Sequence, residues 1–234
     1  MNILFTRPLI DNENSLNELF LKGYNIMHLP TLKITPTNIK PIDTKNYDCL
    51  IFTSSNAVRF LKLKKDNKEV KCFCVGNMTE KILRSKGFSN TIAASGSVNS
   101  LKNLILNSIE KKNNSKPLLY LCGDVISFDL DIELEKEGFR IKKIVNYKST
   151  KITDLNIANA ELIKKYPPNA IFIYSKRSAE SFNQIIKKYS LAQLMTHSKV
   201  MCISKKIKDF LNSCGWTKTD IFTPGEELIK IEKI

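Results

Sequence analysis

The chain has 234 residues, of which 42% are hydrophobic and 26% are charged, and its formal net charge is +14. This composition is typical of a globular protein rather than a disordered one, and no apolar run approaches the about 18 residues that a membrane-spanning helix needs. Arg7 and Pro8 interrupt the short apolar start of the chain, which indicates a buried strand and not a signal peptide. We therefore expect a cytoplasmic protein.

The predicted elements alternate along the chain between apolar runs, typical of buried strands, and amphipathic segments, typical of helices. The predicted strands span residues 2–6, 25–29, 49–53, 71–75, 118–122, 141–145, 170–174, 199–203 and 220–222. The predicted helices span residues 12–22, 56–63, 78–86, 98–111, 127–137, 158–165, 179–188, 205–213 and 226–233. Such alternation with short connections predicts an α/β protein with open, mostly parallel sheets that helices cover on both faces.

A repeated helix-end pattern indicates that the two halves of the chain are weak copies of each other. Leu-x-x-x-Gly-aromatic is typical of a helix that stops at a left-handed glycine, with the aromatic packing back on the leucine. The first and third copies lie 115 residues apart (138 − 23), and the strand-turn segments 48–58 and 169–179 match at an offset of 121 (169 − 48). Two similar α/β units facing each other would enclose a cleft. The four copies end at Tyr24, Phe88, Phe139 and Trp216.

Two stretches interrupt the alternation of strands and helices. Residues 31–46 and 147–156 each contain Lys-Ile-Thr, and both are natural linkers. If both connect the same two bodies, domain one comprises residues 1–33 plus 154–234, domain two comprises 41–146, and the linkers are 34–40 and 147–153. A single division near residues 113–114 would also preserve the repeat, although the paired linkers favour the interleaved arrangement.

Charge and cysteine usage limit the classes of ligand. Only five of the 37 basic residues are arginines, so lysine supplies 32 (37 − 5), scattered along helix faces without aromatic-interleaved strips. This distribution argues against nucleic-acid binding. The positive charge reflects either a composition bias or a field that attracts an anionic substrate. The six cysteines form no C-x-x-C and predict buried, reduced thiols, and the two isolated histidines give no metal-ligand spacing.

Small polar residues follow nearly every predicted strand, at the sheet edge where open α/β proteins bind ligands. Each could simply cap the next helix. Together, the helix N-termini would offer free N–H groups and aligned dipoles to a ligand with several carboxylates or phosphates. No G-x-G-x-x-G, P-loop or G-x-S-x-G motif is present, which excludes the common nucleotide and serine-hydrolase sites. The candidate binding residues are Arg7, Ser54, Ser55, Asn56, Asn77, Thr79, Gly123, Ser175, Lys176 and Ser204.

Eight segments resemble the uroporphyrinogen-III synthase family, in the family's order over nearly the whole chain. They include ILFTRP at 3–8, DCLIFTSSNAVRF at 48–60 and VGNMTEKILRSKGF at 75–88; the others are residues 19–24, 119–124, 134–150, 171–182 and 202–216. The resemblance implies two flavodoxin-like α/β domains joined by a two-stranded linker, with the first domain built from both chain ends. It also implies a monomer that uses neither a metal nor a cofactor.

The family's activity implies a substrate and an outcome. The substrate is hydroxymethylbilane, a linear tetrapyrrole with eight carboxylates, which the family cyclises with loss of water and inversion of ring D to give uroporphyrinogen III. Family motifs place Tyr147 near the departing hydroxyl, although the same tyrosine could be a linker aromatic that packs under its own strand. They place Thr79, Ser54, Ser175 and Arg7 among the binding residues, and Arg7 could instead satisfy backbone carbonyls.

Three departures from the family pattern concern individual contacts. Lys205 and Lys206 follow Ser204 where the family often has a proline and threonines, a common basic residue is replaced around Ser127, and Ser55 and Lys176 stand where prolines are usual. A non-enzymatic, two-lobed binding protein for anionic small molecules is the alternative function. The synthase hypothesis allows a transient contact with the enzyme that forms the bilane.

Overall fold

The computed structural model describes residues 1–7, 13–64, 68–110 and 115–234. Within them the chain forms two compact units: unit 1 comprises Met1–Lys33 and Thr150–Ile234, and unit 2 comprises Ile34–Ser149. The predicted helix-end residues 12 and 111 and the alternative division near residues 113–114 lie outside the described part of the chain. No helix in the described ranges is both long and apolar enough to cross a lipid bilayer.

Strands and helices alternate along the described chain. The strands are β1 (Asn2–Phe5), β2 (Asn25–His28), β3 (Leu32–Pro36), β4 (Cys49–Phe52), β5 (Lys71–Val75), β6 (Thr91–Ala94), β7 (Leu118–Gly123), β8 (Ile141–Lys151), β9 (Ala170–Ile173), β10 (Lys199–Cys202) and β11 (Thr219–Ile221). The helices are α1 (Glu13–Leu21), α2 (Ser55–Arg59), α3 (Asn77–Ser85), α4 (Val98–Ser108), α5 (Leu130–Lys136), α6 (Ile157–Lys165), α7 (Lys176–Lys188), α8 (Lys205–Ser213) and α9 (Glu227–Ile231).

Each unit is built on one mainly parallel sheet. Unit 1 has the strand order β11-β10-β9-β1-β2, and every pair in it is parallel. The other sheet has the order β3-β8-β7-β4-β5-β6, with parallel pairs from β8 to β6. The Thr37 amide donates to the Asn146 carbonyl over 3.1 Å and the Ile152 amide to the Thr31 carbonyl over 2.9 Å. Residue numbers thus rise along one strand as they fall along the other, so β3 is antiparallel to β8.

The two sheets repeat one topology, as the sequence predicted. The order β2-β1-β9-β10-β11 in unit 1 corresponds to β8-β7-β4-β5-β6 in unit 2. The first half of the chain supplies β1 and β2 to unit 1 and β4 to β6 to unit 2, and the second half makes the reciprocal contribution. The duplication is therefore interleaved, so each sheet combines strands from both copies.

The repeated helix stops are present at equivalent positions of the two units. Gly23 after α1 and Gly138 after α5 have φ angles of 77° and 89°, a left-handed region that only glycine adopts without strain. The Tyr24 amide donates to the Leu19 carbonyl over 3.2 Å, and the Phe139 amide donates to the Leu134 carbonyl over 3.1 Å. These bonds close Schellman motifs. Helices α3 and α8 end with the same bond, from Phe88 to Leu83 and from Trp216 to Leu211.

Candidate functional site

Each sheet has a switch point, where successive strands of the chain are added on one side of the sheet before it and on the other side after it. In unit 2, the chain runs from β4 outward to β5 and β6, and from β7 outward in the other direction to β8. The loops that leave β4 and β7 therefore diverge and leave a crevice at the carboxyl ends of these strands, where open α/β sheets bind their ligands. In unit 1 the corresponding pair is β9 and β1.

A cavity of about 140 Å³ lies at this point of unit 2. Thr53 and Ser54 line it from the loop after β4, Gly123 from the end of β7, and Tyr147 from β8. Ligand pockets for drug-sized molecules usually enclose about 300–1,000 Å³, so this cavity admits one small group rather than a chain of rings. The remaining lining residues are Val98, Tyr120, Val125, Ile126, Ser127 and Phe128.

The Tyr147 ring lies directly against the backbone of Gly123. A Cβ atom on residue 123 would stand 2.6 Å from Cζ, 2.7 Å from Cε2 and 2.8 Å from the hydroxyl oxygen of Tyr147. Tyr147 is 9% exposed, and its ring centroid lies 6.4 Å from that of Phe60. Gly123 is therefore required by the ring beside it, because any side chain there would displace the tyrosine.

The Ser54 side chain lies close to the Tyr147 hydroxyl at the edge of the cavity. Burial raises the pKa of Tyr147 above its usual value, and the neighbouring Ser54 side chain opposes this shift without cancelling it. The phenol is consequently neutral at physiological pH and retains a proton to donate. Ser54 also caps α2, since its Oγ accepts the Asn56 amide over 3.2 Å, so capping and the contact with Tyr147 coexist in one residue.

Two other predicted residues of this loop are held by a neighbour on the same helix. The Arg59 guanidinium donates to Asn56 Oδ1 over 3.0 Å and lies 3.5 Å from the Ser55 hydroxyl. Ser55 is buried, whereas Asn56 is partly exposed. Arg59 is a cation that the sequence interpretation left out of the site. The spacing of three and four residues from Asn56 and Ser55 is the signal that could have identified it.

The residues after β5 form a separate group. Helix α3 begins without a side-chain cap, because Gly76 with a φ of 79° occupies the N-cap position. Asn77 is exposed and Thr79 is buried. Neither lines the 140 Å³ cavity, but both lie at the end of the strand that pairs with β4.

In unit 1, buried hydroxyls fill the space beside β1 and β9. Thr6 Oγ1 donates to the Phe172 carbonyl over 2.8 Å, and Ser178 Oγ donates to Thr6 Oγ1 over 3.0 Å. The hydroxyls of Ser178 and Thr31 are 2.5 Å apart, and Ser181 donates to the Thr31 carbonyl over 2.8 Å. These groups satisfy one another, which indicates a structural role.

Two aromatic contacts lie at the same edge of unit 1. The Arg7 guanidinium lies 5.2 Å from the centroid of the Tyr174 ring. The Tyr174 hydroxyl donates to Glu227 over 2.9 Å, and the other oxygen of this buried carboxylate accepts the Gly225 amide over 2.9 Å. Arg7 thus lies beside a fixed tyrosine rather than in a saturated hydroxyl cluster.

The remaining predicted residues begin the helices that follow β9 and β10. Ser175 caps α7 by accepting the Ser178 amide over 3.0 Å. Lys176 is exposed, and its ammonium lies 4.0 Å from Glu180 and 5.9 Å from the Phe210 ring centroid. Ser204 makes no side-chain cap bond to α8. At this edge of unit 1, Ser175 is therefore engaged in capping, Lys176 presents an exposed positive charge, and the N-terminus of α8 has no side-chain cap at Ser204.

The structure therefore divides the predicted residues between the two units. Ser54, Gly123 and Tyr147 share one cavity, whereas Arg7 and Lys176 lie in unit 1. A larger cavity of 370 Å³ lies at the amino ends of β10 and β11, beside Trp216, and no predicted site residue lines it. Among the described residues, no group of three or more His, Cys, Asp or Glu side chains could hold a metal ion.

Comparison with known proteins connects this geometry to one family. A family model described as uroporphyrinogen-III synthase HemD matches residues 16–221. No curated protein sequence matches the chain. A uroporphyrinogen-III synthetase structure from Helicobacter pylori is 17% identical, with a TM-score of 0.64 over 99% of this chain and 97% of that chain. A mutant uroporphyrinogen III synthase from the extremely thermophilic bacterium Thermus thermophilus is 13% identical, with a TM-score of 0.56 over 100% and 98%. At these identities the two structures show a common fold.

Proposed function

We propose that this chain, which belongs to the uroporphyrinogen-III synthase family, cyclises hydroxymethylbilane with loss of water and inversion of ring D to give uroporphyrinogen III. The observation that supports a mechanism for this reaction is the cavity at the carboxyl ends of β4 and β7 in unit 2, which Tyr147, Ser54 and Gly123 line. A neutral phenol held at a small crevice is suited to act on one end of a long substrate.

The first chemical step is departure of the terminal hydroxyl. The C–O bond breaks as the pyrrole nitrogen donates its electron pair, the oxygen takes a proton from solvent and leaves as water, and the ring N–H releases a proton to solvent, so that a neutral, electrophilic azafulvene remains. A hydrogen bond from the Tyr147 hydroxyl would stabilise the negative charge that develops on this oxygen. Because burial raises the pKa of Tyr147, this group assists as a hydrogen-bond donor and a weak acid that stays protonated.

The second step is a matter of geometry. Ring D must attack the azafulvene through its already substituted carbon, form a spiro intermediate, then break a carbon–carbon bond and close again in the inverted orientation. Free in water, the bilane closes without inversion. The protein therefore has to hold the other rings still and present ring D by its less accessible carbon.

The size of the cavity indicates that it binds only one end of the substrate and that groups outside it bind the rest. About 140 Å³ accommodates the hydroxymethyl end or one side chain, not four rings. The rest of the substrate would lie outside the cavity, with its carboxylates bound by exposed or partly exposed groups at strand ends. Candidates are Asn77, Lys176, the uncapped N-terminus of α8 at Ser204, and Arg7.

The charge of the chain supports such a substrate. A formal net charge of +14 attracts a polyanion and raises its rate of encounter. The reaction changes no oxidation state, so we propose hydro-lyase chemistry that needs no redox cofactor. A monomer, a cytoplasmic location and a transient contact with the bilane-forming enzyme stay predictions.

Analysis of the product isomers tests the activity. We expect bilane generated enzymatically to yield isomer III when the protein is present and isomer I when it is absent, as measured by chromatography of the oxidised porphyrins. Isomer I alone in the presence of the folded protein would contradict the proposal. Tight binding of the bilane without turnover would instead favour a non-enzymatic binding protein for anionic small molecules.

A Tyr147→Phe variant in the same assay tests the assigned role. General acid or base assistance typically contributes about 10²–10⁴-fold, and a weak acid belongs at the lower end. We expect about a hundredfold loss of turnover, with a melting temperature close to that of the unsubstituted protein. A loss of activity that merely follows a loss of folded protein would indicate the packing role instead.

A further inference from the structure

We propose that Asn146 is a positioning residue for this reaction, which orients Tyr147 by occupying a bulge in β8 and by tying α2 to that bulge. The inference rests on the proposed function, because orienting Tyr147 matters only if its hydroxyl acts on the substrate. Asn146 does not line the 140 Å³ cavity, and its side chain carries no charge, so neither the cavity lining nor the charge pattern identifies it.

The first observation is the register of β7 against β8. The pairing runs from Leu118 opposite Ile141 to Cys122 opposite Val145, and the next pair is Gly123 opposite Tyr147. One residue of β8, Asn146, is therefore left over between two pairs. An extra residue in one strand bends that strand and redirects the side chain that follows.

The second observation is the face of the sheet that Tyr147 occupies. Regular alternation along β8 would put Ile144 on one face and Tyr147 on the other. In the structure, Tyr147 belongs to the apolar cluster of Leu119 and Leu121, against which Ile144 also packs. The bulge at Asn146 thus brings Tyr147 onto the face of Ile144, and it makes two consecutive residues of β8 buried.

The third observation is the bond that the Asn146 side chain makes. Asn146 is fully buried, and its Nδ2 donates to the Ala57 carbonyl over 2.7 Å. Ala57 lies in the five-residue helix α2, whose last carbonyls need partners from outside the helix. Ser54 caps the N-terminus of the same helix and lies close to the Tyr147 hydroxyl at the cavity. Asn146 therefore links the helix that carries Ser54 to the strand that carries Tyr147.

The fourth observation separates positioning from simple stabilisation. Asn146 Oδ1 is buried and has no hydrogen-bond partner among the described residues. A buried acceptor without a partner lowers the free energy of unfolding, and an apolar residue of similar size would avoid this loss. The asparagine is thus not the most stable choice for the bulge, although its donor group ties α2 in place.

An Asn146→Leu variant tests this distinction. We expect kcat to fall about tenfold or more while KM changes less than twofold and the melting temperature is maintained or rises. Val145→Thr is the matched control, because Val145 is the exposed neighbour of Asn146 on β8 and threonine has the same shape as valine. This variant should retain full activity. Unchanged kcat in Asn146→Leu would overturn the proposal.

Combination with Tyr147→Phe tests whether Asn146 acts through the tyrosine. If it does, the double variant should have the same kcat as Tyr147→Phe alone, because the hydroxyl to be oriented is already absent. Multiplicative effects of the two substitutions would show an independent role for Asn146 and would overturn the proposal.

An Asn146→Asp variant keeps the shape of the residue and makes the bond to Ala57 depend on pH. A carboxylate cannot donate to a carbonyl, whereas a protonated carboxyl can, and burial raises its pKa. We expect the ratio of the variant's kcat to that of the unsubstituted protein to rise at least threefold from about pH 8 to about pH 6. A constant ratio would overturn the proposal, even if Asn146→Leu failed to fold.

The outcomes also separate this inference from the proposed function. Failure of the unsubstituted protein to form isomer III contradicts the function itself, and a fully active Tyr147→Phe contradicts the role of the tyrosine. If Tyr147→Phe is impaired while both Asn146 variants are fully active, only the positioning role is wrong.

Discussion

The switch points of the two units share one topology and differ in chemistry. Ser54 and Ser175 occupy matching positions in the repeat, and each caps the helix that follows its strand. In unit 1 the neighbouring space is filled by Thr6 and Ser178, which bond to each other. In unit 2 the corresponding space contains a cavity beside Tyr147.

The difference shows how a duplicated fold can assign different tasks to equivalent edges. Self-satisfied hydroxyls such as Thr6 and Ser178 stabilise unit 1 but leave no free group for a ligand. Helix caps are common to both units, so capping alone does not identify a site. What distinguishes unit 2 is a tyrosine from a third strand that closes against a glycine.

The largest effect is expected from Gly123→Ala, which should destroy the contact that defines unit 2. The new methyl group would overlap the Tyr147 ring at 2.6–2.8 Å, and overpacking typically costs about 1–3 kcal/mol. We expect turnover to fall by at least the hundredfold of Tyr147→Phe, together with a lower free energy of unfolding in urea.

Two companion variants check the cause of that effect. Gly123→Ala should cost no further stability when it is combined with Tyr147→Ala, compared with Tyr147→Ala alone, because the ring that the methyl group overlaps is gone; both variants should lack activity, since the hydroxyl is also gone. Ser178→Ala in unit 1 should lose about 1 kcal/mol of stability while retaining kcat. A large loss of kcat in Ser178→Ala would contradict the contrast between the units.

An intermediate effect is expected from alkaline pH, which should destabilise unit 2 more than unit 1. Burial raises the pKa of Cys72 and Cys74 to about 12 and that of Cys122 to about 11, and it also raises the pKa of Cys49. All four lie in unit 2, whereas in unit 1 burial raises the pKa of Cys202.

The sign of the pH dependence follows from proton release on unfolding. Below pH 9 the thiols are protonated in both states, so their contribution is fully present. Above pH 9 the unfolded thiols ionise first, and stability falls until the folded thiols ionise near pH 11–12. In this interval each buried thiol lowers the free energy of unfolding by at most about 1.4 kcal/mol per pH unit.

Urea unfolding followed by two probes measures this difference. Trp216 is the single tryptophan of the chain and lies in unit 1, so its fluorescence reports that unit. Between about pH 8.5 and about pH 10.5, which runs upward from the usual pKa of a free thiol, we expect the circular dichroism midpoint to fall further than the fluorescence midpoint. Cys72→Ala should reduce the gap, and equal shifts of both probes would contradict the prediction.

The smallest effect is expected from Lys176→Gln, which tests whether unit 1 binds a substrate carboxylate. An exposed ion pair contributes about 1 kcal/mol or less, which corresponds to roughly a fivefold rise in KM, with kcat unchanged and the effect diminished by salt. Lys165→Gln is the control, because this exposed lysine precedes β9 at the opposite end of the sheet. Equal KM values for the two variants would show that Lys176 binds nothing.

The sequence predicted nine of the eleven strands in the described chain and missed β3 and β6. None of the residues of β3 is fully buried, and the strand ends at Pro36, so no apolar run marks it. Strand β8 likewise extends to Lys151, six residues beyond its predicted end at 145. These two segments become strands because they pair with each other.

The candidate site was predicted by position but not by arrangement. The sequence placed Ser54 and Gly123 at strand ends and placed Tyr147 in a linker. Tyr147 instead lies within β8 and contacts both of the other residues. The sequence interpretation missed Arg59 and Asn146, because each matters through a partner rather than through a motif of its own.

By itself, the sequence determined the duplication, the α/β class and the helix stops, because such features depend on residues within a few positions of one another. The Leu134 to Phe139 segment ends its helix whatever lies elsewhere in the chain. Only the tertiary structure decided which face of the sheet Tyr147 occupies. That depends on the pairing of β7 with β8, whose register leaves Asn146 without a partner in β7 and turns the next side chain to the other face.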